Sequence, residues 1–452
     1  MREVTIHDTY SGAVVPLQPR EPARVGIYAC GPTVYSRIHI GNARPFVVFT
    51  LLARFLEHEG YAVRLVMNVT DVNDKIYDAA GPLGRPSAEL AAEMTEHYRA
   101  DTDALGLGRP DEEPLASETI GPIVDYIAAL VERGHAYAAD GDVYFAVRSD
   151  ERYGSLSHRL LENMDQGEDA AGSPAAQRKR DPLDFALWKA HKPGEDTVWD
   201  SPWGPGRPGW HIECSAMAEG ALGVGFEIHG GGSDLVFPHH ENEAAQTRAA
   251  RGTELARIWM HNGMIQLTGE KMAKSAGNIA PLHEVIERWG AEAVVMYLVS
   301  GHYRQPLAFS QDALEQAEAN VKRIREAGRR LADGDSPADL DRLRDRFFDA
   351  LARDFNTPEA LAVLNEWIRE ATGSVAEGAG NAHLREMLGV LGLESLLAAD
   401  QPAPGEVVEL AQRREQARRE RDFQHADRLR DEIAARGWEV RDVAGGFELL
   451  PR

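Results

Sequence analysis

The feature that most constrains this fold is an early switch in hydrophobic period, from strand-like to helical and back. Residues 23–30 (Ala-Arg-Val-Gly-Ile-Tyr-Ala-Cys) form a short apolar run that ends in a Gly-Pro turn. Between residues 43 and 58, Phe46, Phe49, Leu52 and Phe55 recur at helical spacing. Residues 62–69 (Ala-Val-Arg-Leu-Val-Met-Asn-Val) return to a strand-like run. Strand, helix and strand in that order predict a βαβ unit of a parallel sheet, hence an α/β fold. Such sheets take ligands beyond the carboxyl ends of their strands. Cys30 and Thr70 fall at two such ends.

Farther along, the pattern divides. Residues 80–200 hold helical stretches (Pro86–Leu105, Thr119–Arg133), a strand-like Asp142–Arg148, and an Ala/Gly/Ser-rich loop, Gly167–Arg180. They read as an insertion into the sheet domain. Apolar segments resume from Trp210 to about Ser300. From Gln311 to about Ala399 the chain is helical, with Leu314, Ala317, Val321 and Ile324 on one face. Asp400–Gly405 has linker composition, then Phe423, Ala426, Leu429 and Ile433 mark another helix and a strand pair closes the chain. The division expected is 1–80 with 200–310, 81–199, 311–399 and 400–452.

Composition excludes several classes. With 49 basic and 72 acidic residues, the net charge of −23 gives no bulk attraction to polyanions, so any nucleic-acid contact must come from local basic patches. Two cysteines 184 positions apart cannot build a secreted disulfide framework. Met1-Arg2-Glu3-Val4 opens no apolar leader, and Pro45–Leu56 is too short to span a bilayer. The expectation is a reduced, cytoplasmic protein without a membrane segment.

Four constellations carry possible chemistry. His39-Ile40-Gly41-Asn42 sits at a helix start, where free N–H groups suit phosphate; an ordinary N-cap reads the same way. Lys271 and Lys274, on a loop flanked by Gly269 and Gly277, are able to close over a triphosphate, or are simply solvated. His229-Gly230-Gly231-Gly232-Ser233-Asp234 offers close backbone approach and a carboxylate for ribose, or an ordinary loop. His239 and Glu243 stand four apart on one expected helix face beginning near Pro238. With Cys30 and Cys214 they make four ligands of the types zinc uses, although their spacing is scattered and buried structural thiols remain the plain alternative.

These constellations occur in order in one chain. Tyr28-Ala-Cys-Gly-Pro-Thr-Val-Tyr35, His39-Ile-Gly-Asn-Ala-Arg-Pro45, Asn68-Val-Thr-Asp-Val-Asn-Asp-Lys75, Gly209-Trp-His-Ile-Glu-Cys-Ser-Ala-Met217, His229-Gly-Gly-Gly-Ser-Asp-Leu235, Phe237-Pro-His-His-Glu-Asn-Glu243 and Lys271-Met-Ala-Lys-Ser275 lie in register. Together they resemble the cysteinyl-tRNA synthetase family of class I aminoacyl-tRNA synthetases. Asn42 replaces the second histidine of the class signature, as in the cysteine branch. Ala273 replaces the middle serine of the loop signature.

The resemblance implies a Rossmann-like parallel-sheet catalytic domain (1–80 and 200–310) with a connective insertion (81–199). A helical bundle (311–399) and a small anticodon-recognition domain (400–452) would follow. It implies activation of L-cysteine by ATP and transfer to tRNA-Cys by a monomer. His39, Asn42, Lys271 and Lys274 would be catalytic. His39, Gly41, Asn42, Gly231, Asp234 and Lys274 would bind ATP, while Thr70 and Trp210 would wall the amino-acid pocket. Cys30, Cys214, His239 and Glu243 would hold Zn²⁺, and Mg²⁺ would accompany ATP. An Arg-rich helix (Arg413, Arg414, Arg418, Arg419, Arg421, then Arg428 and Arg430) would meet tRNA phosphates. Two alternatives stand beside this: a ligase joining cysteine to an amino sugar, and a non-catalytic zinc- and tRNA-binding protein.

Overall fold

Four parallel strands carry the part of the molecule that holds the candidate site: β1 (Arg24–Ala29), β2 (Ala62–Met67), β3 (Phe226–Gly232) and β4 (Ala256–Asn262). Their order is β4-β3-β1-β2, and each neighbouring pair runs parallel. The computed structural model describes residues 2–165, 177–267, 270–271, 280–373, 379–398, 403–443 and 446–451. Gly269, Met272, Ala273, Lys274, Ser275 and Gly277 lie outside the described residues, as do most of the Gly167–Arg180 loop and the start of the expected linker. The chain divides into two units, Met1–Leu396 and Leu397–Arg452.

β1 and β2 are joined by helix α1 (Ile40–His58), as the period switch requires. The helix begins three residues before the expected start, because His39 and Asn42 close a capping box ahead of the apolar stripe. Phe46, Phe49, Leu52 and Phe55 are all buried. Phe49 also accounts for a strand glycine, since a Cβ on Gly230 of β3 would stand 2.1 Å from its Cζ. The helix therefore packs directly on strand backbone. Arg44, in the second turn, is fully buried and donates to the carbonyls of Gly263 (2.6 Å) and His302 (3.2 Å). Burial lowers its guanidinium to about 10. These bonds fix the turn after β4.

Between β2 and β3 lies the insertion, with helix α2 (Ser87–Asp103), a helix at Ile120–Glu132 and a four-stranded antiparallel sheet. That sheet consists of Ala136–Ala139, Asp142–Phe145, Phe185–Ala190 and Gly206–Pro208, so it runs past residue 199. Helix α3 (Trp210–Leu222) leads back to β3, and α4 (Glu241–Arg251) connects β3 to β4. Beyond β4 the first unit is mainly helical. Gln311–Arg330, capped by Ser310, buries Leu314, Ala317, Val321 and Ile324 as the spacing predicted.

The second unit contains helices Gly405–Arg419 and Phe423–Ala435 and a hairpin, Trp438–Val443 with Gly446–Pro451. Its core is Val407, Leu410, Ala411, Leu429, Ile433 and Val440. Among the described residues, no helix is long and apolar enough to cross a membrane.

Candidate active site

A cavity of about 270 Å³ opens beyond the carboxyl edge of the sheet. Met67, Gly232 and Asn262, the last residues of β2, β3 and β4, line it together with Cys30, which follows β1. The cavity lies where the strand-end rule looks for a ligand.

One end is built on the start of α1. His39 Nδ1 accepts from Gly41 N at 3.0 Å, and Asn42 Oδ1 accepts from His39 N at 3.1 Å. The plain N-cap reading is therefore true of these side chains, and it fixes their orientation. Because Nδ1 accepts, the neutral ring carries its proton on Nε2. Gly41 is needed for the cap itself, since a Cβ there would lie 2.8 Å from the His39 ring. His39, Gly41, Asn42 and Asp234 all line the cavity. Gly232 lines it too, whereas Gly231 packs behind it, where a Cβ would meet Leu235 at 2.9 Å. Lys271 lies in a two-residue strand whose backbone pairs with Gln266. Lys274 lies outside the described residues.

At the other end, four elements converge on two thiols. Cys30 follows β1, Cys214 sits in the second turn of α3, His239 precedes α4, and Glu243 is in its first turn. One ligand atom from each lies within 4.8 Å of the others, and all four residues are buried. His239 is not on a regular helix, as the spacing had suggested. Val236–His240 winds more widely, with Phe237 extended, and α4 proper begins at Glu241. His239 Nε2 still reaches Glu243 Oε1 at 3.0 Å.

The donor set fits a divalent ion of zinc type. Cys30 Sγ and Cys214 Sγ are 3.8 Å apart, too far for a disulfide. Two sulfurs each about 2.3 Å from a tetrahedral ion stand roughly that far apart. Among the described residues Glu243 Oε2 makes no hydrogen bond although it is fully buried, with His229 Nε2 at 3.4 Å. Burial, followed by its histidine neighbours, holds His239 well below the usual imidazole range, so it is neutral and able to ligate. Its Nδ1 is 2.9 Å from His211 Nδ1, which leaves Nε2 to face the cluster. Burial pushes the Cys30 thiol well up, so without a cation beside it the group keeps its proton.

The remaining expected positions divide. Trp210 lines the cavity, its ring stacked 4.3 Å from that of His239. Thr70 is buried behind the wall, where its Oγ1 accepts from Asn68 Nδ2, and Thr33, bridged to it, lines the cavity in its place. Sequence reasoning missed the surrounding histidines. Cys30, His229, His240 and Glu243 form a second group with the same mutual closeness, and His261 Nε2 lies 2.7 Å from His240 Nδ1. His229 and His240 belong to the quoted motifs, but nothing in their spacing shows that they converge. Glu213, next to Cys214, is fully buried, among the described residues neither of its carboxylate oxygens makes a hydrogen bond, and burial pushes its carboxyl well above the ordinary range.

In the second unit, the expected Arg-rich stretch is two helices, with Arg421 between them and Arg428 and Arg430 on the second, and its arginines are partly committed to their own fold. Arg414 and Arg418 both pair with Asp442, Arg419 with Glu415 and Arg430 with Asp427.

Residues 16–319 match the family described as tRNA synthetases class I (C) catalytic domain, and residues 346–395 match the DALR domain. The cysteine–tRNA ligase of Alkalilimnicola ehrlichii is 47% identical over 98% of both chains. That of Halorhodospira halophila is 45% identical over 98% of both, and that of Caldicellulosiruptor saccharolyticus 43% over 98% of this chain and 99% of its own. Among solved structures, Mycobacterium tuberculosis methionyl-tRNA synthetase with methionyl-adenylate superposes with a TM-score of 0.59 at 15% identity. It covers 83% of this chain and 89% of its own, a likeness of fold. With the class I sheet, the strand-end cavity and near-full-length relatives in agreement, this chain belongs to the cysteine–tRNA ligase family of class I tRNA synthetases.

Proposed function

We propose that the chain joins L-cysteine to tRNA-Cys at the expense of ATP, with zinc selecting the substrate thiol. The observation that carries this reading is the buried Cys30–Cys214–His239–Glu243 set beneath Trp210, at one end of a cavity whose other end is the His39–Asn42 cap. The cysteine carboxylate would attack the α-phosphate of ATP, releasing pyrophosphate. A terminal tRNA hydroxyl would then attack the activated carbonyl, forming the ester and breaking the anhydride bond to release AMP. No protein nucleophile is required, so this chain's residues act by positioning and charge.

His39 Nε2 and the Asn42 amide would donate to phosphate oxygens at the start of α1. Asp234, with Gly232 beside it, would take the ribose. Lys271 and Lys274 would hold the departing pyrophosphate, and Mg²⁺ would accompany ATP. Cys30, Cys214, His239 and Glu243 would hold Zn²⁺, which when bound favours the thiolate form of the substrate. Trp210 would cover the amino acid. A pocket without metal separates cysteine from serine by only about 1–3 kcal/mol, whereas a ligand bond kept or lost separates them by much more. The chain would act as a monomer in the cytoplasm, with residues 400–452 reading the anticodon. An amino-sugar acceptor is disfavoured, because the tRNA ligases cited above match over their whole length, helices after Ser310 included.

The test is cysteine-dependent ATP–pyrophosphate exchange together with charging of tRNA-Cys. Both activities are expected; exchange without charging would move the acceptor to another class of molecule, and no exchange would refute adenylation.

A further inference from the structure

The cavity also holds a cation that neither role above uses. Arg37, two residues before His39, lines the cavity with about a third of its side chain exposed. One edge of its guanidinium is taken by Asp101, with Nη2 to Oδ1 at 2.6 Å and Nε to Oδ2 at 3.3 Å. Asp101 lies on α2 of the insertion and is buried, and among the described residues its carboxylate accepts from Arg37 alone. Tyr98, one turn earlier on the same helix face, also lines the cavity. The insertion therefore supplies both a wall and an anchor. Arg37 Nη1 makes no hydrogen bond to any described residue. The Nη1–Nη2 edge remains available, and that edge of a guanidinium suits two oxygens of one phosphate.

The charge of the cavity agrees. Its lining residues include two permanent cations, Arg37 and Lys75, against one carboxylate, Asp234. A buried aspartate spent on orienting one surface-facing arginine is costly unless the arginine's direction matters.

We infer that Arg37 is a further phosphate-binding residue, contacting the polyphosphate of ATP, and that Asp101 is its positioning residue. The inference rests on the ligase reading and deepens it. Polyphosphate is favoured over an acceptor-strand phosphate because Arg37 shares the cavity, at two residues' distance, with the capped helix start assigned to ATP. The insertion thereby takes part in the first step of the reaction.

The experiment is steady-state ATP–pyrophosphate exchange on the full-length, metal-loaded protein and its Arg37→Ala, Arg37→Lys and Asp101→Asn variants. Loss of a charge-assisted bond to phosphate corresponds to roughly a tenfold or greater rise in KM for ATP. Arg37→Ala should show that rise, with KM for cysteine unchanged within about twofold. Arg37→Lys, which keeps a partner for Asp101 if the alanine variant fails to fold, should recover part of the loss. Asp101→Asn should give a smaller rise in the same constant. An unchanged KM for ATP in both Arg37 variants would overturn the inference, as would an effect confined to KM for tRNA during charging. In either case the unaltered chain would still exchange pyrophosphate, so the ligase reading would stand. No exchange by the unaltered chain would remove both.

Discussion

The two ends of the cavity satisfy their polar groups in opposite ways. At the start of α1, His39 and Asn42 bond backbone N–H groups within the same four residues. At the thiol end, ligand atoms from four elements lie within 4.8 Å of one another, and among the described residues Glu243 Oε2 makes no hydrogen bond. An unpaired buried polar atom costs about 1–3 kcal/mol. Two thiols, an imidazole and a carboxylate with one such oxygen, gathered in one buried spot, suit a partner that brings positive charge. The satisfied end says little about the chemistry of a ligand, whereas the thiol end restricts it to a cation that soft donors hold.

That contrast breaks most easily at the metal set. Cys214→Ala or His239→Ala should abolish bound zinc and lower kcat/KM for cysteine by more than about 100-fold, read by metal analysis and pyrophosphate exchange. Full metal occupancy in both variants would erase the distinction between the ends. Next in size is the packing of α1 on β3. Phe49→Ala should cost about 3–5 kcal/mol of unfolding free energy in a denaturant titration. Gly230→Ala, at 2.1 Å from the same ring, should cost at least about 1–3 kcal/mol through overpacking.

The nucleotide end should respond more mildly in stability. His39→Ala removes one side of the capping box, for about 1 kcal/mol, and should raise KM for ATP while leaving metal content at one per chain. The smallest effect belongs to the far end of α1, where Glu59 bonds Arg2 by both N and Nη1 at 2.7 Å. Burial alone would raise the Glu59 carboxyl, but the Arg2 bonds outweigh it and hold the group below the ordinary range. A depressed carboxyl contributes stability that is fully present above its unfolded value of about 4.3 and is lost as pH falls through the folded value. Arg2→Ala should flatten that acid limb of the stability curve, and an unchanged limb would refute the assignment.

How much of this was legible in the sequence follows from range. The βαβ unit, the stripe of α1 and the face of Gln311–Arg330 are local periodicities, and each appeared within about three residues of its expected bounds. The N-cap was legible for the same reason. The four candidate ligands were suggested by residue type but singled out only by the resemblance to a family, because Cys30 and Cys214 are 184 positions apart and only the fold brings them together. The spacing of His239 and Glu243 suggested one helix face, while the chain uses a wider turn and still joins them. Thr70 marks the limit of strand-end reasoning. It sits at an edge but turns inward to Asn68, leaving the cavity to Thr33. Arg37 and Asp101, 64 positions apart, left no local signal at all.

The central claim is that an ion held by two sulfurs, an imidazole and a carboxylate separates a thiol from a hydroxyl. The most direct measurement is the ratio of kcat/KM for cysteine to that for serine in pyrophosphate exchange, taken on the native protein, after chelation, and after restoring zinc. The account predicts one zinc per chain, a ratio that collapses by orders of magnitude on chelation, and recovery when the metal returns. A protein stripped of metal that keeps its original preference for cysteine would contradict it.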